Sequence, residues 1–331
     1  MRQSRSRSAL VIATALLASF VTGCSSSSKP AAAGGSAGKG LEKTTLKVAS
    51  LPLVDGAALH IAIKEGYFKA EGLTVQVEPV QQSIQALPAL IKGDVDVIAG
   101  ADYVTFLMAN EKGTLKLRVL AEGATLKANM MDVLALPKSN IKTAKDLEGK
   151  KVAVNILNNI QSLTLNQIVK ANNVDPTKVK YVAVPFPQMA AALQSGQVDA
   201  IHAVEPFLSD AQKKLGAKVV VDGGSDPVAD MPISGYVGTA DFTTKYPKTA
   251  AAFQRAIIKA QQLAATDRKV VEQVLPGYTK IDAQTAAIIT LPGFPTSLNA
   301  TRMQRLADLM TNSGMLQSKV DLSSILFTPS S

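Results

Sequence analysis

Four acidic residues fall in matched pairs along the chain: Asp96 with Asp199 and Asp102 with Glu205, each pair 103 residues apart. A carboxylate at the end of a strand can cap a helix, accept hydrogen bonds from a bound molecule, or move a proton. Proton transfer in catalysis needs a partner, and none is evident. The chain has one cysteine, Cys24, and two histidines, His60 and His202, far apart in sequence. Two histidines without a cysteine make no zinc site of known spacing, and no Gly-rich phosphate loop is present. The stretch "GGSAG" at 34–38 matches the pattern of a hydrolase nucleophile. That chemistry needs a strained strand-to-helix turn and a His partner, and this stretch sits among Ser, Ala and Gly. The residues thus point to binding without reaction, metal or cofactor. Asp102 and Glu205 are the better-placed acids, as ligand contacts, helix caps or links between lobes, while Asp96 and Asp199 read as structural.

These acids are positioned by a repeat. "ALIKGDVDVI" at 89–98 returns as "ALQSGQVDAI" at 192–201. In each copy an amphipathic helix ends at a glycine, Gly93 or Gly196, suited to the left-handed turn that closes a helix. An apolar strand follows at once. Upstream, "LKVAS" (46–50) pairs with "KKVAV" (150–154), and "LTVQVEPV" (73–80) with "TKVKYVAV" (177–184). Each half reads strand, loop, helix, strand, helix, strand, and such alternation implies a largely parallel sheet with right-handed crossovers. The fold class is α/β, with two similar lobes. Open parallel sheets bind ligands at the carboxyl ends of their strands, so two facing lobes make a cleft. The extended segments "MMDVLALP" (130–137) and "MPISGYVGT" (231–239) bracket the second copy and read as crossings, with bending expected near 131–136 and 230–237.

The 331 residues, 47% hydrophobic and 18% charged, suit two lobes with sizeable cores. Three of the net nine positive charges precede the apolar run "ALVIATALLASF", which is too short to span a bilayer and reads as an export signal. Its end, "VTGC", resembles the bacterial lipobox, which makes Cys24 the lipidation site; ordinary cleavage leaving a free thiol is the alternative. Several acyl chains exceed the marginal hold of one, so the mature protein is expected outside the cytoplasm, anchored to the membrane. The remaining lysines are scattered, without the clustered arginines and aromatics of a nucleic-acid groove. The expected organisation is a signal peptide over 1–23, a flexible tether over 24–43, a first lobe from 44–134 and 233–331, and a second from 135–232.

The stretches "KEGYFKAEGLTVQVEPV" (64–80), "ALIKGDVDVIAGAD" (89–102), "DLEGKKVAV" (146–154) and "ALQSGQVDAIHAVEPFL" (192–208) resemble the solute-binding lipoproteins of ABC importers in the sulfonate, taurine, nitrate and thiamine-precursor group. The resemblance implies a type II periplasmic-binding fold whose lobes, joined by a hinge, close over one small molecule in the cleft. It also implies a monomer that hands its ligand to a membrane permease. Carried over residue by residue, the ligand loops of the first lobe hold Asp55, Gly56, Ala57, Gln82, Ser83, Gly100, Ala101 and Asp102. Those of the second hold Asn155, Asn158, Asn159, Gln161, Gln188 and Glu205. The chain departs from sulfonate-type relatives at "NILNNIQS" (155–162), where they resemble Gly-Ser with further hydroxyls and a His. Val204 stands where an aromatic often precedes the Glu-Pro pair, and no arginine falls in any of these loops. An aliphatic sulfonate, taurine or nitrate type of ligand is favoured. The alternatives are a thiamine-precursor or other heteroaromatic solute, or a precursor-processing enzyme on the same fold.

Overall fold

The computed structural model describes residues 40–329; Cys24, the export segment, "GGSAG" and most of the expected tether lie outside them. The first strands and helices are β1 (Thr45–Ser50), α1 (Ala57–Lys64), α2 (Tyr67–Ala70), β2 (Thr74–Pro79), α3 (Leu87–Lys92), β3 (Val97–Asp102), α4 (Tyr103–Glu111) and β4 (Leu117–Thr125). Next come β5 (Met131–Ala135), β6 (Lys151–Val154), α5 (Ile160–Ala171), β7 (Lys180–Ala183), α6 (Phe186–Gln194), β8 (Ala200–Val204), α7 (Phe207–Leu215) and β9 (Lys218–Asp222). The chain then runs through β10 (Pro232–Thr239), α8 (Ala240–Lys245), α9 (Pro247–Thr266), α10 (Arg268–Val274), α11 (Ala283–Ile288) and α12 (Ala300–Asn312).

Two five-stranded sheets result, ordered β2-β1-β3-β10-β4 and β7-β6-β8-β5-β9. In each, three parallel strands from one copy of the repeat are joined by an antiparallel crossing strand, β10 or β5. The sheets are thus mixed rather than purely parallel. β5 hydrogen-bonds along its length to β8 and β9, so residues 131–134 belong to the second sheet and the chain changes sheets before residue 131 rather than after 134.

The copies match in detail. Gly93 and Gly196 adopt φ of +80° and +74°. Asp96 accepts from the Lys47 N–H at 3.0 Å, and Asp199 from the Lys151 N–H at 2.7 Å. In both copies the repeated acid therefore ties its strand to the neighbouring one, which satisfies a backbone donor at the strand's entry. The Val80 N–H donates to the Ser50 carbonyl and the Val184 N–H to the Val154 carbonyl, so both copies leave the sheet alike.

The end of the expected tether is packed. Glu42 accepts from the Lys248 and Thr249 N–H groups at the start of α9, and Lys43 pairs with Asp96 at 2.6 Å. A carboxylate at a helix start meets unpaired amides and the positive end of the helix dipole. At the other end of the chain, α12 buries Met303, Leu306, Ala307 and Met310, one face at helical spacing.

Candidate functional site

The segments following the carboxyl ends of the three parallel strands of each sheet, together with β5 and β10, enclose a cavity between the two sheets. Its volume is about 550 Å³ and the chamber is narrow. Three hydrogen bonds cross it. The Ile160 N–H donates to Asp102 Oδ2 at 3.0 Å, the Gln82 side chain to the Asn155 carbonyl at 2.5 Å, and the Val54 N–H to the Glu205 carbonyl at 3.4 Å. Each ties a loop of the first sheet to one of the second, which holds the lobes closed.

Asp102 is the N-cap of α4, accepting from the Thr105 N–H and hydroxyl, both at 2.8 Å, while its other oxygen reaches the first amide of α5. One carboxylate thus closes the orphan amides of two helices from opposite lobes. Glu205 accepts from the Ser209 hydroxyl at 2.8 Å and its N–H at 3.2 Å, at the start of α7. Asn159 caps α5 through the Ser162 N–H. Gln161 accepts from the Asn155 N–H and the Asn159 side chain and donates to the His202 carbonyl, so the oxygen and one N–H of this buried amide are taken by the protein. Asp55 accepts the Ser234 hydroxyl on Oδ2 at 2.5 Å, while its Oδ1 is buried without a hydrogen-bond partner, as is Asn155 Oδ1. Burial pushes the Asp55, Asp102 and Glu205 carboxyls above their usual range, against hydrogen bonds that favour the charged forms.

Eight of the expected residues line the cavity: Asp55, Ser83, Gly100, Asp102, Asn155, Asn159, Gln161 and Glu205. The other six do not. Gly56, Ala57 and Ala101 are buried in the elements behind it. Gln82 reaches across with its side chain but is not part of the wall. Asn158 takes a left-handed conformation, φ +55°, and is exposed on another face, and Gln188 sits on the solvent side of α6, where the helical period carries it away. Gly100 needs its glycine because its φ is +71°; a Cβ there would make only ordinary contact with Asp55 Oδ2, 3.6 Å away.

Sequence reasoning missed the apolar wall, including Leu51, Met130, Met131, Ile156, Ile160 and Phe186, and the polar Ser234. Met130, Met131 and Ser234 lie in the two segments already read as crossings. Strands that pass between lobes border the cleft by topology, and that was the available signal. Tyr103 and Tyr236 are fully buried core residues, and Phe207 stacks on Phe186 with centroids 5.8 Å apart. His60 stacks on Tyr278 at 3.6 Å, and His202 is buried with neither ring nitrogen hydrogen-bonded. Among the described residues no group of three His, Cys, Asp or Glu side chains forms a metal site, and no helix is long and apolar enough to cross a membrane.

A family model described as NMT1/THI5 like matches residues 54–269. A nitrate/nitrite binding protein, NrtA of Nostoc sp., is 26% identical over 242 residues, covering 67% of this chain and 54% of its own length. The chain spans between 37% and 58% of the length of the first curated relatives it matches. Among solved structures, the alkanesulfonate-binding protein SsuA from Xanthomonas axonopodis pv. citri, bound to MOPS, superposes with a TM-score of 0.74 at 18% identity. That likeness covers 86% of this chain and 99% of SsuA. The desulfurization enzyme DszB superposes at 0.61 with 17% identity, covering 85% of this chain and 95% of its own. The fold is the two-lobed periplasmic-binding fold, shared by binders and an enzyme alike.

Proposed function

The chain belongs to the NMT1/THI5-like family, and from that premise we propose that it is the substrate-binding protein of an ABC importer, capturing a small organic solute or anion outside the cytoplasm and delivering it to a membrane permease. The observation that carries this is the narrow cavity between two sheets, closed by direct hydrogen bonds between the lobes. Its polar wall is spent on helix caps and cross-cleft links rather than on a nucleophile with its base. An oxyanion of the sulfonate or nitrate kind is the class that the relatives' names bring to the site, with a thiamine-precursor or other heteroaromatic solute as the alternative. Lipidation at Cys24 belongs to the same reading, as does a hinge in the two crossings.

The test is a melting-temperature screen against sulfonates, taurine, nitrate, thiamine precursors and aromatic acids, followed by small-angle scattering on any hit. A true ligand at ~1,000 times its dissociation constant stabilises the folded state by about 4 kcal/mol and raises the midpoint by several degrees. The same ligand should make the protein more compact. A hit that is chemically converted during incubation would instead favour an enzyme, and a confirmed ligand that leaves the scattering profile unchanged would sink the hinge.

A further inference from the structure

The charge of the cavity runs opposite to that of an oxyanion site. Three carboxylates, Asp55, Asp102 and Glu205, line it, and no Lys, Arg or His does. An oxyanion is ordinarily held by the free amides of helix N-termini. Several of those amides are here taken by the protein's own side chains, while α1 and α6 start without a side-chain cap. Asp102 holds the starts of α4 and α5, Glu205 that of α7, and Asn159 a further amide of α5. An anion entering the chamber would still lie beside three buried carboxylates with no compensating cation.

What the chamber lacks is hydrogen-bond donors from a guest. The two side-chain atoms of its wall that are buried without a partner, Asp55 Oδ1 and Asn155 Oδ1, are both acceptors. Asp55 is held in place by the Ser234 hydroxyl on its other oxygen, so Oδ1 is fixed. A buried acceptor left unpaired costs free energy that a guest N–H would recover. The remaining wall, Leu51, Met130, Met131, Ile160 and Phe186, is apolar and closely spaced, which admits only a compact body.

We propose that the cavity takes a small nitrogen base, an amine or amidine-type solute with a compact apolar body, which donates N–H groups to Asp55 Oδ1 and Asn155 Oδ1, and that it excludes oxyanions. The inference rests on the solute-binding reading above and fixes the sign of the charge it selects. Ser234 and Asp55 are then specificity-determining residues contributed by different segments of the first lobe, and Asn155 is their counterpart in the second.

The experiment sets each base against an anion of the same shape, by calorimetric titration of the full chain purified in detergent: acetamidinium against nitrate, benzamidine against benzoate, and benzylamine against phenylmethanesulfonate. The expected result is that at least one base binds, that its anionic counterpart does not, and that Asp55→Asn lowers the affinity for that base about ten-fold or more. A second readout is the pH dependence. Burial raises the Asp55 carboxyl above its usual range, and the bound cation favours its ionised form. Asp102 and Glu205 line the same cavity and Tyr236 and Tyr278 face Asp55, so the wild type is compared with Asp55→Asn: the affinity of protonated benzamidine should fall as pH falls in the wild type and less so in the variant, whereas an anion's would rise. Tighter binding of nitrate, benzoate or phenylmethanesulfonate than of its matched base overturns the inference and leaves the solute-binding reading intact. Base affinity unchanged by Asp55→Asn and by pH overturns the assignment to Asp55. No binding by any of the six counts against both the inference and the solute-binding reading.

Discussion

Asp102 and Asp132 show how a buried carboxylate in this fold is either used or left over. Asp102 spends its oxygens on two helices from two lobes, so the residue that most resembles a ligand contact in sequence also fastens the closed state. Asp132, in β5, accepts only from the Gly223 N–H, and its Oδ2 is buried without a partner. Burial first, then the nearby Asp222 and Glu205 carboxylates, push its carboxyl up to about 7, with the Gly223 N–H opposing. Because the folded value lies above the unfolded one, ionised Asp132 costs stability that is absent below the ordinary carboxylate range and complete above about pH 7. Asp132→Asn, which keeps the acceptor for Gly223 and carries no charge, should therefore gain on the wild type as pH rises. The expected slope is at most about 1.4 kcal/mol per pH unit within that window. Urea denaturation of both proteins at pH 5 and pH 8 measures it, and a constant difference would show that Asp132 does not titrate there.

At the scale of elements, α12 is the piece that the repeat does not explain. Its apolar face is legible as Met303, Leu306, Ala307 and Met310, but its seat is set by charge. Arg302 reaches Glu122 of β4 with its Nε at 3.1 Å and Nη2 at 3.2 Å, and the Asn299 N–H adds a third bond at 2.6 Å. The Glu122 side chain is fully buried. Arg305 donates to the carbonyls of Ala229 and Pro227, just before β10, so the helix also braces the second crossing. Arg302→Ala leaves a buried charge with one backbone donor, and should destabilise the fold by about 3 kcal/mol. Glu122→Gln added to it should restore much of the loss. Chemical denaturation of the single and double variants decides it: equal losses in both would mean that Arg302 acts through packing alone.

For the whole molecule, the two sheets share one construction and differ in what surrounds them. The first carries α9 to α11 on the side of α1 and α2, with Phe253 of α9 packed against Phe68 and Tyr236. The apolar face of α12 belongs to the other core, and the residue after α12, Ser313, meets Gln167 of α5 in the second lobe. The lobe of the first sheet is joined at Glu42, which caps α9 directly after the segment proposed to lead to the membrane anchor. Cys24→Ala should shift the protein from the membrane fraction to the soluble fraction or block its processing. Unchanged fractionation would remove the lipid anchor and leave the cavity's chemistry untouched.

The repeat by itself determined the three parallel strands of each sheet, the glycine turns and the equivalence of Asp102 and Glu205, because backbone periodicity and helix termination are local properties; β4 and β9 lie outside it. It could not decide which loop residues face inward. Asn158 and Asn159 are adjacent and chemically identical, yet one backbone in the left-handed region turns the first outward while the second caps α5. Gln161 looks like a ligand contact until Asn155 and Asn159 of its own loop and the His202 carbonyl of β8 occupy it together. The sign of the cavity's charge is likewise a tertiary fact. Each acid is ordinary in sequence, and only the closure of two lobes places three carboxylates and an unpartnered Asp55 oxygen in one narrow chamber with no cation to balance them.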